Sequence, residues 1–517
     1  MAYSVLIKNG TVLDGNSKNS PRKADVGISG NFIKDIGDLS GSDGEVVIDA
    51  EGQYVTPGFI DLTSHSDTYG TIFTIPSQES LLRQGVTTIL LGNYGESLAP
   101  IVKKESLNDL GRWSSAYTTN TDWNSVSEYH SVLEELKLGV NVATLIGQQT
   151  LKRASTNQEQ GALLLEAAMI DGAWGVSSNF SFLEWSIKEH ACTSEFLSIV
   201  KKFDGVYKVH LQDEGKNLLP ATASVLDLVR TSGVTAVISH FKAIGKSSWP
   251  YFQKAIKMIE LAKKDGMEIY FDFFPYLRTG SMLLNLLPPW AKEGSEEIIL
   301  KRLHDKTEAE KIIKEMKTET LHADRILVAS VKNDKKIIGK TLDNISSQVS
   351  LSPEETILEI LKINELSGTF FGKTVSSKNL LLAAKNKNSI VASDGAGYDT
   401  DFTQTGDLVH PRSFGAYPRF FSIVAPSAGL TPESAVEKMT ALPARVLGLK
   451  NRGNIAKNFI ADIAVFDPRI FKSSSTYKNP FNYANGLNHL ILKGEIVVSS
   501  DSPVLRKGVV LRKNINH

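Results

Sequence analysis

VYKVHLQDE (206–214) and TAVISHFKA (235–243) are two short apolar runs, rich in β-branched residues and joined by a longer amphipathic stretch. Each turns polar at a histidine, His210 and His240. Strand, amphipathic helix, strand is the repeat of parallel βα units. The pattern recurs on either side in VTPGFIDLTSH (55–65), TTILLGNYG (87–95), NVATLIGQQ (141–149), GVSSNFSF (175–182), EIYFDFFPY (268–276) and NSIVASDG (388–395). Together these make eight runs, the number that closes a (β/α)8 barrel. The interval between the seventh and eighth is too long for one helix, so an insertion is expected at about 277–375. Its charged segment HDKTEAEKIIKEMKTETLHADR (304–325) reads as a solvated helix with opposite charges at helical spacing.

The two ends of the chain differ from the middle. SVLIKNGTVLDG, ADVGISGNFIKDIG and EVVIDAEGQYVTPG at the start, and ADIAVFD, HLILKGEIVVSS and GVVLRK at the end, are β-type segments punctuated by turn residues. The expectation is therefore an α/β protein: a TIM-like (β/α)8 barrel over 57–439 and a small β-sandwich domain built from both termini, 1–56 and 440–517.

Composition narrows the function. Lys plus Arg and Asp plus Glu each number 57 in 517 residues, so no global basic field exists to hold phosphate backbones, and nucleic acid is excluded as an expected partner. The single cysteine, Cys192, forms no internal disulfide, rules out a Cys-rich zinc site, and reads as a packed small residue. No signal-peptide pattern opens the sequence, and the apolar runs fall short of the ~20 residues of a membrane helix. A soluble cytoplasmic protein with no membrane partner is expected.

In a barrel of this kind, functional groups gather at the carboxyl ends of the strands, where the loops converge. His65, His210, His240 and Asp394 each end one of the eight runs. A lone histidine is more often a structural residue, but imidazole and carboxylate at four strand ends are the donors that zinc favours.

Several stretches carry a family resemblance: PGFIDLTSHSD (57–67), VTTILLGNYG (86–95), VHLQDEG (209–215), ISHFKAIG (238–245), FPYLRTGS (274–281), SDGAGY (393–398), HPRSFGAYPRF (410–420) and MTALPARVLGLKNRGNIAKNFIADIAVFDP (439–468). In this order they resemble the N-acyl-D-amino-acid deacylase (D-aminoacylase) branch of the amidohydrolase superfamily. The resemblance implies a metal-dependent barrel carrying a β-sandwich. It also implies that His65, the second member of a His-x-His pair, joins His210 and His240 as metal ligands. Asp394 corresponds to the aspartate that takes a proton from the nucleophilic water and can itself bind metal. Departures stand beside these matches: Thr63 replaces the first histidine of the pair, Tyr94 a cysteine ligand, and Gln148 a strand-three histidine. Strand four ends in Ser177 and Ser178, so no lysine is available to be carbamylated.

The resemblance implies an amidohydrolase acting on the non-peptide C–N bond of a linear amide, an N-acyl amino acid or related small molecule. Its water would be activated by one zinc ion per chain, or by none if the pocket is metal-free, with Asp394 as general base. Tyr94 binds a metal only as phenolate, against a pKa of ~10, and is more suited to donate to a developing oxyanion. Lys242 lies two residues beyond His240 and on the same face, and the resemblance implies that it contacts the substrate carboxylate together with Tyr276; the other reading of Lys242 is a barrel-rim lysine. Ser281 and Arg412 are further substrate-binding candidates, Arg412 reading equally as a structural ion-pair residue. The expected partner is a small molecule carrying an amide and a carboxylate. The oligomeric state, a homo-oligomer included, stays open. The other readings are a metal-depleted homologue with a binding role, and a pocket repurposed for different acyl or ring chemistry.

Overall fold

In the computed structural model the described residues are 3–102, 121–179, 187–318, 321–499 and 502–513. Residues 180–182 of the fourth run, 319–320 of the charged segment and 500 of the penultimate β-type segment lie outside them. Each of the eight runs forms a strand. Numbered within the barrel, they are β1 (Phe59–Asp61), β2 (Val86–Leu91), β3 (Asn141–Thr144, continuing as Ile146–Gly147), β4 (Gly175–Asn179), β5 (Val206–His210), β6 (Thr235–Ile238), β7 (Ile269–Phe273) and β8 (Ser389–Val391).

Neighbours in this series pair in parallel, from β1 through to β8. The ring closes just beyond the last strand, where Ser64 bridges Gly395 and the His65 N–H donates to the Gly395 carbonyl at 2.7 Å. Both faces of such strands are covered, which explains why they read as nearly unbroken apolar runs.

The helices between strands follow from one-sided patterning. Leu218–Ser232 buries Leu218, Ala221, Thr222, Val225, Leu226 and Val229, a stripe at helical spacing. It stops at Gly233, whose φ of 64° suits a residue without Cβ. Trp249–Lys264 starts with Pro250 in its first turn and buries Phe252, Ala255, Ile256 and Ile259. Inside the barrel, Leu90, Val206, Val237, Tyr270 and Ile390 form one cluster with Leu442 and Leu447 of the helix Ala441–Leu447.

The inserted residues form an antiparallel sheet of Arg278–Met282, Gly368–Lys373 and Ile326–Val331, in that spatial order, with a core of its own that includes Val328, Ile357, Leu361 and Phe370. Within the charged segment the described residues form one α-helix, Lys306–Met316, largely exposed as expected. Asp305 ends Glu296–His304 and its side chain accepts from the Glu308 N–H at 2.9 Å to start Lys306–Met316. The second of these also buries Ile312 and Met316, so apolar residues among the charges give it a packed face.

Strands from both ends of the chain share one eight-stranded sheet. Tyr54–Pro57 pairs with Tyr3–Val12 on one side and Ile463–Phe466 on the other, around a core that includes Ile7, Val26, Val55, Ile463 and Ile491. The segment GVVLRK does not join it. Val510 bridges Val142 of β3, and the Trp174 indole donates to the Leu511 carbonyl at 2.6 Å. No helix among the described residues is long and apolar enough to cross a membrane.

Candidate active site

A cavity of about 220 Å³ opens at the carboxyl ends of the strands, lined by His65, Tyr94, His210, His240, Lys242, Ser281, Asp394 and Arg412, with Glu214, Glu96 and Phe274 among its other walls. A larger hollow of about 700 Å³ lies elsewhere, around Trp174, Arg452 and Lys513. The residues with acid–base and ligand chemistry converge on the smaller one.

Three of these residues stand in left-handed backbone: Tyr94 (φ 62°), His240 (φ 36°) and Asp394 (φ 51°). Non-glycine residues there cost ~1–3 kcal/mol each and persist only where surrounding contacts impose them. The contacts are present. The His240 N–H donates to Asp272 Oδ1 at 2.6 Å, and the Ser393 N–H and hydroxyl both donate to Asp61. Beside Tyr94, the Gly95 N–H donates to the Ser177 hydroxyl at 3.0 Å. Ser177 thus supports a loop and offers nothing to the cavity.

The side chains form two groups. In the first, His210 Nδ1 lies 3.0 Å from His240 Nε2, while the far nitrogen of His240, Nδ1, lies 3.2 Å from Glu214 Oε1. Lys242 Nζ donates to the same Glu214 oxygen at 2.7 Å and lies 2.9 Å from His240 Nδ1. Burial, with His240 beside it, pushes His210 down to about 3, so its imidazole is neutral across the physiological range. Burial alone would raise Glu214, but Lys242 and His240 pull it down to about 2, leaving a carboxylate.

In the second group, His65 Nε2 lies 3.1 Å from Asp394 Oδ1, and Arg412 binds the other Asp394 oxygen. Burial would raise this carboxyl too. The Arg412 guanidinium, aided by His240 and His65, instead holds it well below the usual carboxylate range.

The structure therefore brings His65, His210, His240 and Asp394 to one cavity but does not make them one cluster. Among the described residues, the group with ligand atoms all within 4.8 Å of one another is His210, Glu214 and His240. Two imidazoles and a carboxylate suit one zinc ion. Since Glu214 already meets His240 on the side away from His210, it is as well placed to orient that ring as to bind metal. Tyr94, its ring 4.6 Å from that of His210, is pushed up to about 12 by burial and by Glu214, so it remains a neutral hydroxyl donor. Thr63 and Gln148 do not line the cavity. Gln148 donates to the Thr193 hydroxyl at 2.9 Å, and Thr63 belongs to a buried network below.

Of the residues assigned to substrate, Lys242 and Ser281 face the cavity, Ser281 from the inserted sheet. Arg412 also lines it but is engaged with Asp394 and lies 5.0 Å over the Phe274 ring, which matches its structural ion-pair reading. Tyr276 does not line the cavity: its hydroxyl donates to the Pro411 carbonyl at 3.2 Å. Phe274, two residues earlier, takes the inward position. Glu214 received no role from the sequence, since it lies in the loop after β5 where spacing from His210 fixes no face.

The chain is similar to known proteins along nearly its whole length. A model of the amidohydrolase family matches residues 349–497. The D-aminoacylase of Alcaligenes xylosoxydans xylosoxydans is 27% identical over 507 residues, covering 95% of this chain and 94% of that protein. A crystal structure of a D-aminoacylase, 26% identical, covers 99% of this chain and 100% of its own with a TM-score of 0.82. The N-acyl-D-glutamate deacylase of Bordetella bronchiseptica, solved with zinc and a phosphonate inhibitor, has the same fold at 24% identity, with a TM-score of 0.82 over 99% of this chain and 100% of that one.

Proposed function

We infer that this chain, an amidohydrolase of the D-aminoacylase type, hydrolyses the amide bond of a small N-acyl amino acid. One observation carries the reading: neutral His210, the His240 imidazole, anionic Asp394, Lys242 and the Tyr94 hydroxyl face one 220 Å³ cavity. That volume lies below the ~300–1,000 Å³ of drug-sized ligand sites and favours a short acyl group.

His210 and His240, with Glu214, would hold one zinc ion, which when bound acidifies a water and polarises the amide carbonyl. The protein's own groups do the rest. Asp394 takes a proton from the attacking water and returns it to the departing nitrogen, and Arg412 keeps it ionised for that task at the expense of some basicity. The Tyr94 hydroxyl donates to the oxygen that gathers negative charge. Lys242 offers the substrate carboxylate a cation at the cavity wall, and Ser281 adds a hydroxyl from the inserted sheet.

The test is a panel of N-acetyl-D-amino acids and their L-enantiomers given to zinc-supplemented protein, with the released amine quantified. Release from at least one member is expected; none from any would overturn the reading.

A further inference from the structure

Below the cavity lies a charged pair that the reaction above does not use. Lys208 stands two residues before His210 on β5, Asp272 is on β7, and both side chains are fully buried. An unpaired charge there would be prohibitive, but every donor of the ammonium is taken. Lys208 Nζ donates to the Thr63 hydroxyl at 2.7 Å, to the Ser239 hydroxyl at 3.0 Å and to Asp272 Oδ2. Thr63 itself donates to Asp272 Oδ2 at 2.8 Å, and the other Asp272 oxygen carries the His240 backbone N–H. The ammonium thus sits among residues just before the cavity histidines: Thr63 and Lys208 two residues before His65 and His210, and Ser239 immediately before His240.

We propose that Lys208 is a built-in cation that takes the place of a second metal ion at the base of this pocket, so that the site holds one zinc and admits no other. The proposal rests on the metal-dependent reading above. A second divalent ion here would need Asp272 or the Thr63 oxygen, and both are committed to Lys208. It would also stand against a fixed positive charge in a buried region where water screens little. On the far side, His65 and Arg412 both engage Asp394, and Glu96 at the cavity wall is engaged by Arg153, so these carboxylates are already paired. Lys208 is a positioning residue, since its ammonium meets Asp272 and Asp272 in turn supports His240.

Metal counting tests this without relying on turnover. Full-length protein is stripped, equilibrated with excess zinc chloride and dialysed; bound zinc is measured, and anomalous maps of zinc-soaked crystals locate it. Wild type is expected to show one ion in the pocket. Thr63→His, which adds a donor but keeps Lys208, is expected to stay at one. Lys208→Met, which frees Asp272 and Thr63, is expected to take a second ion and to gain more thermal stability from zinc than wild type does.

Two pocket ions in wild type or in Thr63→His would overturn the proposal. So would Lys208→Met holding one ion with a zinc-induced melting shift equal to that of wild type. The wild-type map decides even if a variant fails to fold. Two ions together with amide hydrolysis would sink this inference alone; no zinc and no hydrolysis would sink the functional reading as well.

Discussion

Asp394 sits in left-handed backbone, receives Arg412 on one oxygen and His65 on the other, and is held well below the usual carboxylate range despite its burial. If it is the base, Asp394→Asn keeps the shape and the contact to His65 but cannot take a proton. Turnover should fall by about 10²- to 10⁴-fold at unchanged zinc content, measured as amine release per bound zinc; an unchanged rate would remove Asp394 from the mechanism. At this scale the sequence was legible where a polar residue ends an apolar run, as at His65, His210, His240 and Asp394. It was opaque for Lys208 and Asp272, because charges inside runs such as VYKVH and IYFDF give no sign that they will meet across a barrel. Tyr276 stands outside the cavity, its hydroxyl donating to the Pro411 carbonyl, and Phe274 is the residue of that block that lines it.

Elements were legible through period and turn chemistry. All eight barrel runs became strands, since a parallel strand covered on both faces has to be apolar nearly throughout. The charged segment became the helix Lys306–Met316, whose start is fixed by the Asp305 side chain accepting from the Glu308 N–H. One element carries a pH consequence. His130, on the helix Val126–Glu135, is buried against β3 with its Nε2 2.8 Å from the Thr144 hydroxyl, and burial pushes it from 6.5 to about 4. In this window the unfolded chain binds the proton and the folded one does not, so the stability present above pH 6.5 is lost as pH falls towards 4. At ~1.4 kcal/mol per pKa unit, the loss amounts to a few kcal/mol. Melting temperature should fall over that interval, and less so in His130→Gln; equal slopes in the two proteins would remove His130 as the cause.

The whole molecule places a closed barrel beside a sheet shared by both chain ends, and mounts an inserted sheet at the cavity rim, where Ser281 reaches in. The sequence foretold the barrel from eight repeats of one pattern and the terminal sheet from β-type segments at either end. It could not tell that GVVLRK would leave that sheet for β3, since a short apolar segment fits equally against either surface. On the proposed reading, one zinc ion held at His210 and His240 in this cavity makes the protein an amide hydrolase. The most direct measurement strips the purified protein with a chelator and adds zinc back in steps, following bound zinc and release of free amino acid from the best N-acetyl-D-amino acid in the panel. Activity should vanish on stripping and return in proportion to zinc, levelling at one equivalent per chain. Hydrolysis that survives complete stripping, or zinc-loaded protein that releases no amino acid, would contradict the claim.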